Sequence, residues 1–354
     1  MDTVPMIRKT LRLLREFLVD VLDGHPQKPL HYLSATVYGW FFGGPKTILI
    51  EPIAACNLHC EFCSIPPKLI QRNARLMTLE QFKKLAEDVK PFCRNLTLYF
   101  GGESLLHPHL PEMVAYASKN GFYTSLSTNC TLLSPEISRK LIAGGLDHLL
   151  FSLDGLSKES LEGMRIGANY EQVMDNVQAF FRVKKELGKA KPFAAFQLLV
   201  SKLNQHEVQA FKEFAAGFGA SARIRTLGLP TWVGEGVDLN KLADKYLLEP
   251  DKAKAFEEYE IGRDKPCRFD QKSVVFADGR VAPCCFDVHG KHALGNVYQK
   301  SFSAIWNSQA YRDKRPLIIG KKLDICEGCD LNSNRTDAGI QRQYSRPDAA
   351  GAKQ

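Results

Sequence analysis

Between residues 46 and 226, apolar runs of strand length alternate with stretches of helical periodicity. This alternation limits the fold more than any other feature of the chain. The strand-like runs are Thr47–Ile53, Asn95–Phe100, Tyr123–Thr128, His148–Leu153, Phe193–Leu199 and Ala222–Leu227. Between them lie helical stretches at Thr78–Val89, Leu110–Asn120, Pro135–Gly144, Tyr170–Glu186 and Asn204–Phe218. Such a pattern argues for an α/β fold, a parallel sheet with helices outside. In these sheets chemistry collects at the C-terminal ends of the strands, so the loops leaving the strands come next.

The first of those loops is Cys56-Asn57-Leu58-His59-Cys60-Glu61-Phe62-Cys63, a C-x3-C-x2-C run. A short loop of this kind can wrap three thiolates around one metal cluster. A four-iron cubane would then keep one iron without a protein ligand, open to a small molecule. Structural zinc wants four ligands, and His59 is the candidate fourth, so zinc stays open at this point. The second loop begins Gly101-Gly102-Glu103. Paired glycines admit close approach to the backbone, and Glu103 can accept a hydrogen bond from an ammonium. The two loops together describe a site for an amino-acid-like ligand.

Residues 1–45 read as a helical leader, with Ile7, Leu11, Leu14, Phe17, Leu18, Val21 and Leu22 at helical spacing and Arg8, Lys9, Arg12 and Arg15 among them. A helix pair capping the core is the favoured reading. A membrane or lipid contact through residues 1–45 is the less favoured one. Residues 227–266 form an irregular bridge. Residues 267–332 carry Cys267, Cys284, Cys285, Cys326 and Cys329. The run Val274–Pro283 reads as a hairpin about Asp278-Gly279, which would bring Cys267 near Cys284. Four cysteines here could hold zinc or a 4Fe–4S cluster. Residues 333–354 are polar and are expected to be disordered. No apolar run approaches the roughly 20 residues of a membrane span. The N-terminus lacks a secretory layout, so a cytoplasmic location is expected. In a reducing compartment, the ten cysteines of the chain point to metal rather than disulfides. A net charge of +8 suits an anionic substrate or cofactor, and no nucleic-acid partner is expected.

C-x3-C-x2-C after the first strand and Gly-Gly-Glu after the second resemble the radical S-adenosylmethionine (SAM) enzymes over residues 46–226. The resemblance implies a partial (β/α)6 barrel of the radical SAM type with a small C-terminal iron–sulfur domain. It implies a [4Fe–4S] cluster on Cys56, Cys60 and Cys63, with the amino and carboxylate groups of SAM on the open iron. Reductive cleavage would give a 5′-deoxyadenosyl radical that takes hydrogen from a substrate carbon. Phe62 would then lie beside the adenine, and Gly101, Gly102 and Glu103 would meet the methionyl amine. Ser127 and Asn129 would end the third strand near the cofactor. Ser152 and Asp154 would end the fourth, with Ser152 near the ribose. Arg165 would pair with the methionyl carboxylate, since a guanidinium suits a planar anion. Each has a plainer role beside this one: turn formation for Ser127 and Asn129, a helix cap for Asp154, a surface position for Arg165. The chain departs from the family at Cys130, where many members have glycine. Cys130 and Cys93 read as ordinary buried thiols.

Cys-x11-Gly-x4-Cys, then Leu294-Gly295-Asn296-Val297, Ile305-Trp306 and C-x2-C, resembles the SPASM extension or its shortened twitch form. A full SPASM extension supplies about seven cysteines for two clusters. Five imply one auxiliary [4Fe–4S] cluster on Cys267, Cys284, Cys326 and Cys329, with Cys284 preferred over Cys285 because it occupies the Gly-x4-Cys position. Complete ligation suits electron transfer. The resulting expectation is a two-electron oxidation of a small molecule, with the auxiliary cluster as electron acceptor and flavodoxin or ferredoxin as external donor. Three alternatives stand beside it: a peptide (RiPP-type) maturase, a redox-neutral epimerase or decarboxylase with a structural auxiliary cluster, and, remotely, a non-enzymatic zinc-binding module. No base is identified; His107, His109, Asp287 and His289 are open candidates.

Overall fold

The computed structural model describes residues 3–63, 76–229, 238–249, 267 and 271–326. Six strands, β1 (Thr47–Ile50), β2 (Asn95–Thr97), β3 (Tyr123–Thr128), β4 (His148–Ser152), β5 (Phe193–Val200) and β6 (Ser221–Thr226), pair in parallel in sequence order. Each crossover advances to the next strand, so the sheet winds in one direction, as a partial (β/α)6 barrel requires. Helices α3 (Leu79–Val89), α4 (Leu110–Lys119), α5 (Pro135–Ala143), α6 (Lys158–Met164), α7 (Tyr170–Glu186) and α8 (Val208–Gly217) occupy the crossovers.

The strands alternate by side. Ile48, Ile50, Leu96, Leu126, Phe151, Phe196 and Ile224 are buried in one core with Phe82, Val114, Leu141, Val177 and Phe211 of the helices. The intervening residues Thr97, Ser127, Ser152, Gln197 and Arg223 therefore face the concave side. Local chemistry sets the helix starts. Thr78 and Gln81 close a capping box on α3. Ser134 caps α5 ahead of Pro135 at its first position.

Helix α6 was not legible in the sequence, because seven residues containing Gly163 give little periodic signal. A capping box between Ser157 and Ser160 starts it, and Arg165 follows its end. β2 is shorter than the run Asn95–Phe100. Leu98 still donates to Ser125 (2.8 Å), then the chain leaves the ladder towards Gly101-Gly102.

The expected hairpin is present as β7 (Lys272–Val275) and β8 (Val281–Ala282), with Gly279 at φ 83° in its turn. β7 also pairs in parallel with β1. The cysteine-bearing segment thus extends the main sheet, in the order β6-β5-β4-β3-β2-β1-β7-β8. Helices α9 (Leu239–Tyr246), α10 (Phe302–Trp306) and α11 (Gln309–Ile319) complete the described elements of regular helix.

The leader forms the expected helix pair, α1 (Thr3–Leu22) and α2 (Gln27–Phe42). It docks at the N-terminal ends of the strands through buried charge. Lys28 Nζ donates to Asp147 Oδ2 (2.7 Å) and Gly145 O (2.7 Å). Lys191 Nζ donates to Asp147 Oδ1 (2.9 Å) and to Asp20. Tyr123 donates its hydroxyl to Asp20 Oδ2 (2.5 Å). On the outer faces, Leu14, Leu18 and Leu22 of α1 and Leu30, Leu33, Val37 and Phe41 of α2 stay exposed. Among the described residues, no helix is long and apolar enough to cross a membrane.

Candidate active site

At the C-terminal ends of the strands a cavity of about 200 Å³ opens. Cys56, Cys60 and Cys63 form one wall. Gly102, Glu103, Ser127, Asn129, Ser152 and Arg165 line the others. Of the residues singled out in the sequence, Phe62, Gly101 and Asp154 do not line it.

The two glycine-bearing loops explain each other. Glu103 N donates to Ala55 O (2.7 Å), joining the loop after β2 to the cysteine loop. Gly102 sits at φ +89°, and a Cβ there would lie 2.2 Å from Ala55 O. The close approach expected for a ligand is made by the neighbouring backbone. Gly101 is buried.

The cysteine loop is tied down on its far side as well. Asn57 Nδ2 donates to Thr131 Oγ1 (2.8 Å), and Asn129 Nδ2 donates to Asn57 Oδ1 (3.1 Å). Leu58 N donates to Cys56 Sγ (3.4 Å), and His59 N to Ile166 O (2.9 Å). The His59 ring is exposed at the rim. Burial pushes the Cys56 thiol up.

Glu103 is buried, and both its oxygens hold backbone. Oε2 accepts from Asn129 N (2.7 Å) and Oε1 from Leu105 N (3.1 Å). Burial raises this carboxyl, against the pull of these bonds. The Thr128 side chain bonds to the carboxylate as well, which leaves it a remaining lone pair for a donor from the cavity.

Asp154 was expected at the cofactor or on a helix cap. It is fully buried, at φ 59°, behind Arg165. Its Oδ1 accepts from Leu199 N (2.7 Å), and its Oδ2 lies 2.5 Å from Arg165 Nη2. Ser157, not Asp154, caps the helix that follows. Against the cost of burial, Asp154 and the thiols of Cys60 and Cys63 hold the guanidinium in its charged form. Arg165 is therefore no surface residue. Its Nε is buried without a hydrogen-bond partner among the described residues. Phe62 supports it from outside, with Arg165 Cζ 6.0 Å from the ring centroid. The same ring packs edge-on against Tyr246 of α9 at 5.5 Å. Ser127 Oγ and Ser152 Oγ meet at 3.1 Å on adjacent strands.

A cation beside three thiols stabilises thiolate charge, and the wall of thiols fronts open space. The donor set therefore fits a cluster held on one side by protein. The buried, unpartnered Arg165 Nε and the spare acceptor capacity of Glu103 fit the two charged ends of an amino acid.

The second group lies across β1. Cys267, Cys284, Cys285 and Cys326 share an apolar pocket with Val274, Phe276, Ala282, Ile318 and Leu323. Burial, with Cys284 and Cys267 close by, pushes Cys326 up to about 11. Cys284 is buried and accepts from Phe286 N (3.4 Å), whereas Cys285 is half-buried and acts on Tyr99. Cys329 and residues 333–354 lie outside the described residues. This donor set, sulfur in an apolar setting, fits a second cluster.

The open candidates resolve into turn residues. Both nitrogens of the His107 ring contact backbone, Met77 O (2.7 Å) across the fold and His109 N (3.1 Å) within the turn. Asp287 accepts from Lys291 N (2.7 Å) and His292 N (2.9 Å). His109 and His289 are exposed. Cys130 occupies φ +69°, the left-handed region that glycine adopts most readily. Its thiol and that of Cys93 are buried, with Cys93 pushed up by burial to about 12. Tyr99, which lines the cavity, was missed in the sequence. Its alternation with Leu98 was the available signal.

Two family models match the chain. One, for the radical SAM superfamily, covers residues 50–215. The other, SPASM, described as an iron–sulfur cluster-binding domain, covers residues 267–330. The tungsten-containing aldehyde ferredoxin oxidoreductase cofactor-modifying protein of Pyrococcus furiosus is 26% identical, over 81% of this chain and 87% of its own length. The Fe-coproporphyrin III synthase of Methanosarcina barkeri is 26% identical over 77% and 80%. The structure of anSMEcpe with bound AdoMet and Cp18Cys peptide superposes with a TM-score of 0.56 at 17% identity, covering 80% of this chain and 86% of that one. At that identity the likeness speaks for the fold.

Proposed function

We propose, from the premise that the chain belongs to the radical SAM superfamily and carries a SPASM iron–sulfur extension, that it oxidises a small molecule by two electrons. A bound 4Fe–4S cluster with SAM would supply hydrogen-atom abstraction from carbon, and a second cluster would supply a one-electron acceptor; loss of one hydrogen atom, one proton and one electron makes up the two-electron oxidation of the substrate. Cys56, Cys60 and Cys63 would hold the first cluster. Cys267, Cys284, Cys326 and Cys329 would hold the second. Residues 46–226 then act as the catalytic core, and residues 267–332 as the auxiliary unit joined to it through β7.

The chain's own residues position the cofactor. Glu103, fixed by Asn129 N and Leu105 N, accepts from the ammonium of SAM. Arg165, fixed by Asp154, donates to its carboxylate. Ser127 and Ser152 offer hydroxyls to the ribose. Phe62 acts at one remove, by supporting Arg165. The observation that carries this reading is the common cavity, where three thiols meet a carboxylate and a guanidinium set for an amino acid.

A small-molecule substrate is supported by relatives whose names specify cofactor modification and porphyrin synthesis. Flavodoxin or ferredoxin would supply the first electron, in the cytoplasm. The test uses reduced, reconstituted enzyme with SAM and either the small-molecule or the peptide fraction of a source-cell extract. Faster deoxyadenosine release with the small-molecule fraction, with one oxidised product per deoxyadenosine, supports the reading. Acceleration by the peptide fraction alone turns it into a peptide maturase. Deuterium returned from deoxyadenosine to product turns it into a redox-neutral enzyme.

A further inference from the structure

Ser152, Gln197 and Arg223 occupy one row across β4, β5 and β6, since Ser152 pairs in register with Gln197 and Gln197 with Arg223. The row begins at the cavity, which Ser152 lines beside Ser127. It ends about two strand spacings away, roughly 10 Å. Arg225 stands one repeat further along β6, opposite Leu199. Between the two arginines Ile224 is buried in the core with Phe211 and Ala215 of α8. Strand alternation therefore turns both guanidinium groups to the concave side. Tyr99, on the cavity wall, registers them there. Burial raises its hydroxyl, and Arg223 and Arg225 act against that rise.

Neither arginine has a hydrogen-bond or ion-pair partner among the described residues. Both side chains are exposed on the concave face, whereas the buried cations of this barrel are held by carboxylates: Arg165 by Asp154, Lys28 and Lys191 by Asp147. Two exposed like charges one strand repeat apart raise the local positive potential, which an anion between them relieves. Guanidinium groups in that arrangement suit the spread oxygens of a carboxylate or a phosphate.

We infer that Arg223 and Arg225 bind an anionic group of the substrate, a carboxylate or a phosphate, and so hold its reacting carbon along the Ser152–Gln197 row towards the cavity. This rests on the reading of that cavity as the SAM pocket. The site narrows the substrate class to acidic small molecules and excludes neutral sugars and neutral lipids.

The test is a calorimetric titration of the reconstituted, SAM-loaded holoenzyme with inorganic phosphate and, separately, succinate, at low ionic strength. Saturable binding of at least one is expected, and the tighter of the two identifies the group. Arg223→Gln/Arg225→Gln should weaken it about tenfold or more, and Arg225→Lys by less. Arg139→Gln, on the outer helices, should leave it as in wild type. Absence of saturable binding to wild type overturns the inference, as does unchanged affinity in the double variant. A loss of SAM affinity in that variant as large as the loss of anion affinity also overturns it. The titration needs no reductant, so failure of SAM cleavage would strike the proposed function and leave this result standing.

Discussion

The two ends of the barrel bury charge in opposite ways. At the N-terminal ends of the strands, Asp20, Lys28, Asp147 and Lys191 are closed under the leader helices, each with an opposite charge beside it. Burial alone would raise the Asp147 carboxyl, but Lys28 and Lys191 together hold it below the usual carboxylate range. At the C-terminal ends, burial raises both Glu103 and Asp154 above that range. There the charges border a cavity, and Arg165 keeps one unsatisfied donor. One end is saturated and closed; the other is left partly unsatisfied and open. Satisfied buried networks fix structure, whereas spare hydrogen-bonding capacity beside open space is capacity to bind.

Variants at each end can break that contrast. Cys60→Ala should reduce deoxyadenosine formation to background and remove about four irons per chain, read by colorimetric iron and chromatography. Asp147→Asn should cost about 3–5 kcal/mol, by leaving Lys28 and Lys191 buried without their carboxylate, read as a lowered denaturation midpoint. Activity per folded molecule should persist. If Asp147→Asn instead abolished cleavage at unchanged stability, the division between the ends would fail. Gly102→Ala should cost about 1–3 kcal/mol, because φ +89° and the Ala55 carbonyl both exclude a side chain. Its cluster occupancy after reconstitution should fall too. Glu103→Gln should retain the cluster and raise the KM for SAM, since an amide presents hydrogens where Asn129 N, Leu105 N and the ammonium need acceptors. The smallest effect concerns pH. A depressed Asp147 contributes stability that is present above its unfolded value and lost as pH falls through its folded value. The acid limb of a stability profile should therefore be shallower in Asp147→Asn than in wild type.

Legibility in the sequence differed between the same two ends. Loops at the C-terminal ends carry residue types whose chemistry is local. Cys56, Cys60, Cys63 and Glu103 could be named from motif and spacing and Arg165 from the family resemblance, and the structure gathers them around one cavity. Asp154 and Phe62, named from the resemblance, lie outside the cavity lining, because a motif position does not tell which of two neighbouring side chains faces the cavity. The network at the N-terminal ends was invisible. Asp20 and Lys191 are separated by 171 positions, and an aspartate in a leader helix resembles any solvated charge until the partner arrives. The same holds for β7, whose pairing with β1 a short apolar run cannot announce.

The proposed place of SAM cleavage is the group of three thiols on the first loop. The direct test is deoxyadenosine formation by the anaerobically reconstituted, reduced protein, compared with Cys56→Ala under the same conditions. Wild type should carry about eight irons and convert SAM to 5′-deoxyadenosine and methionine, while Cys56→Ala should retain about half the iron and form none. Bound zinc without iron, or deoxyadenosine formation that persists in Cys56→Ala, would contradict it.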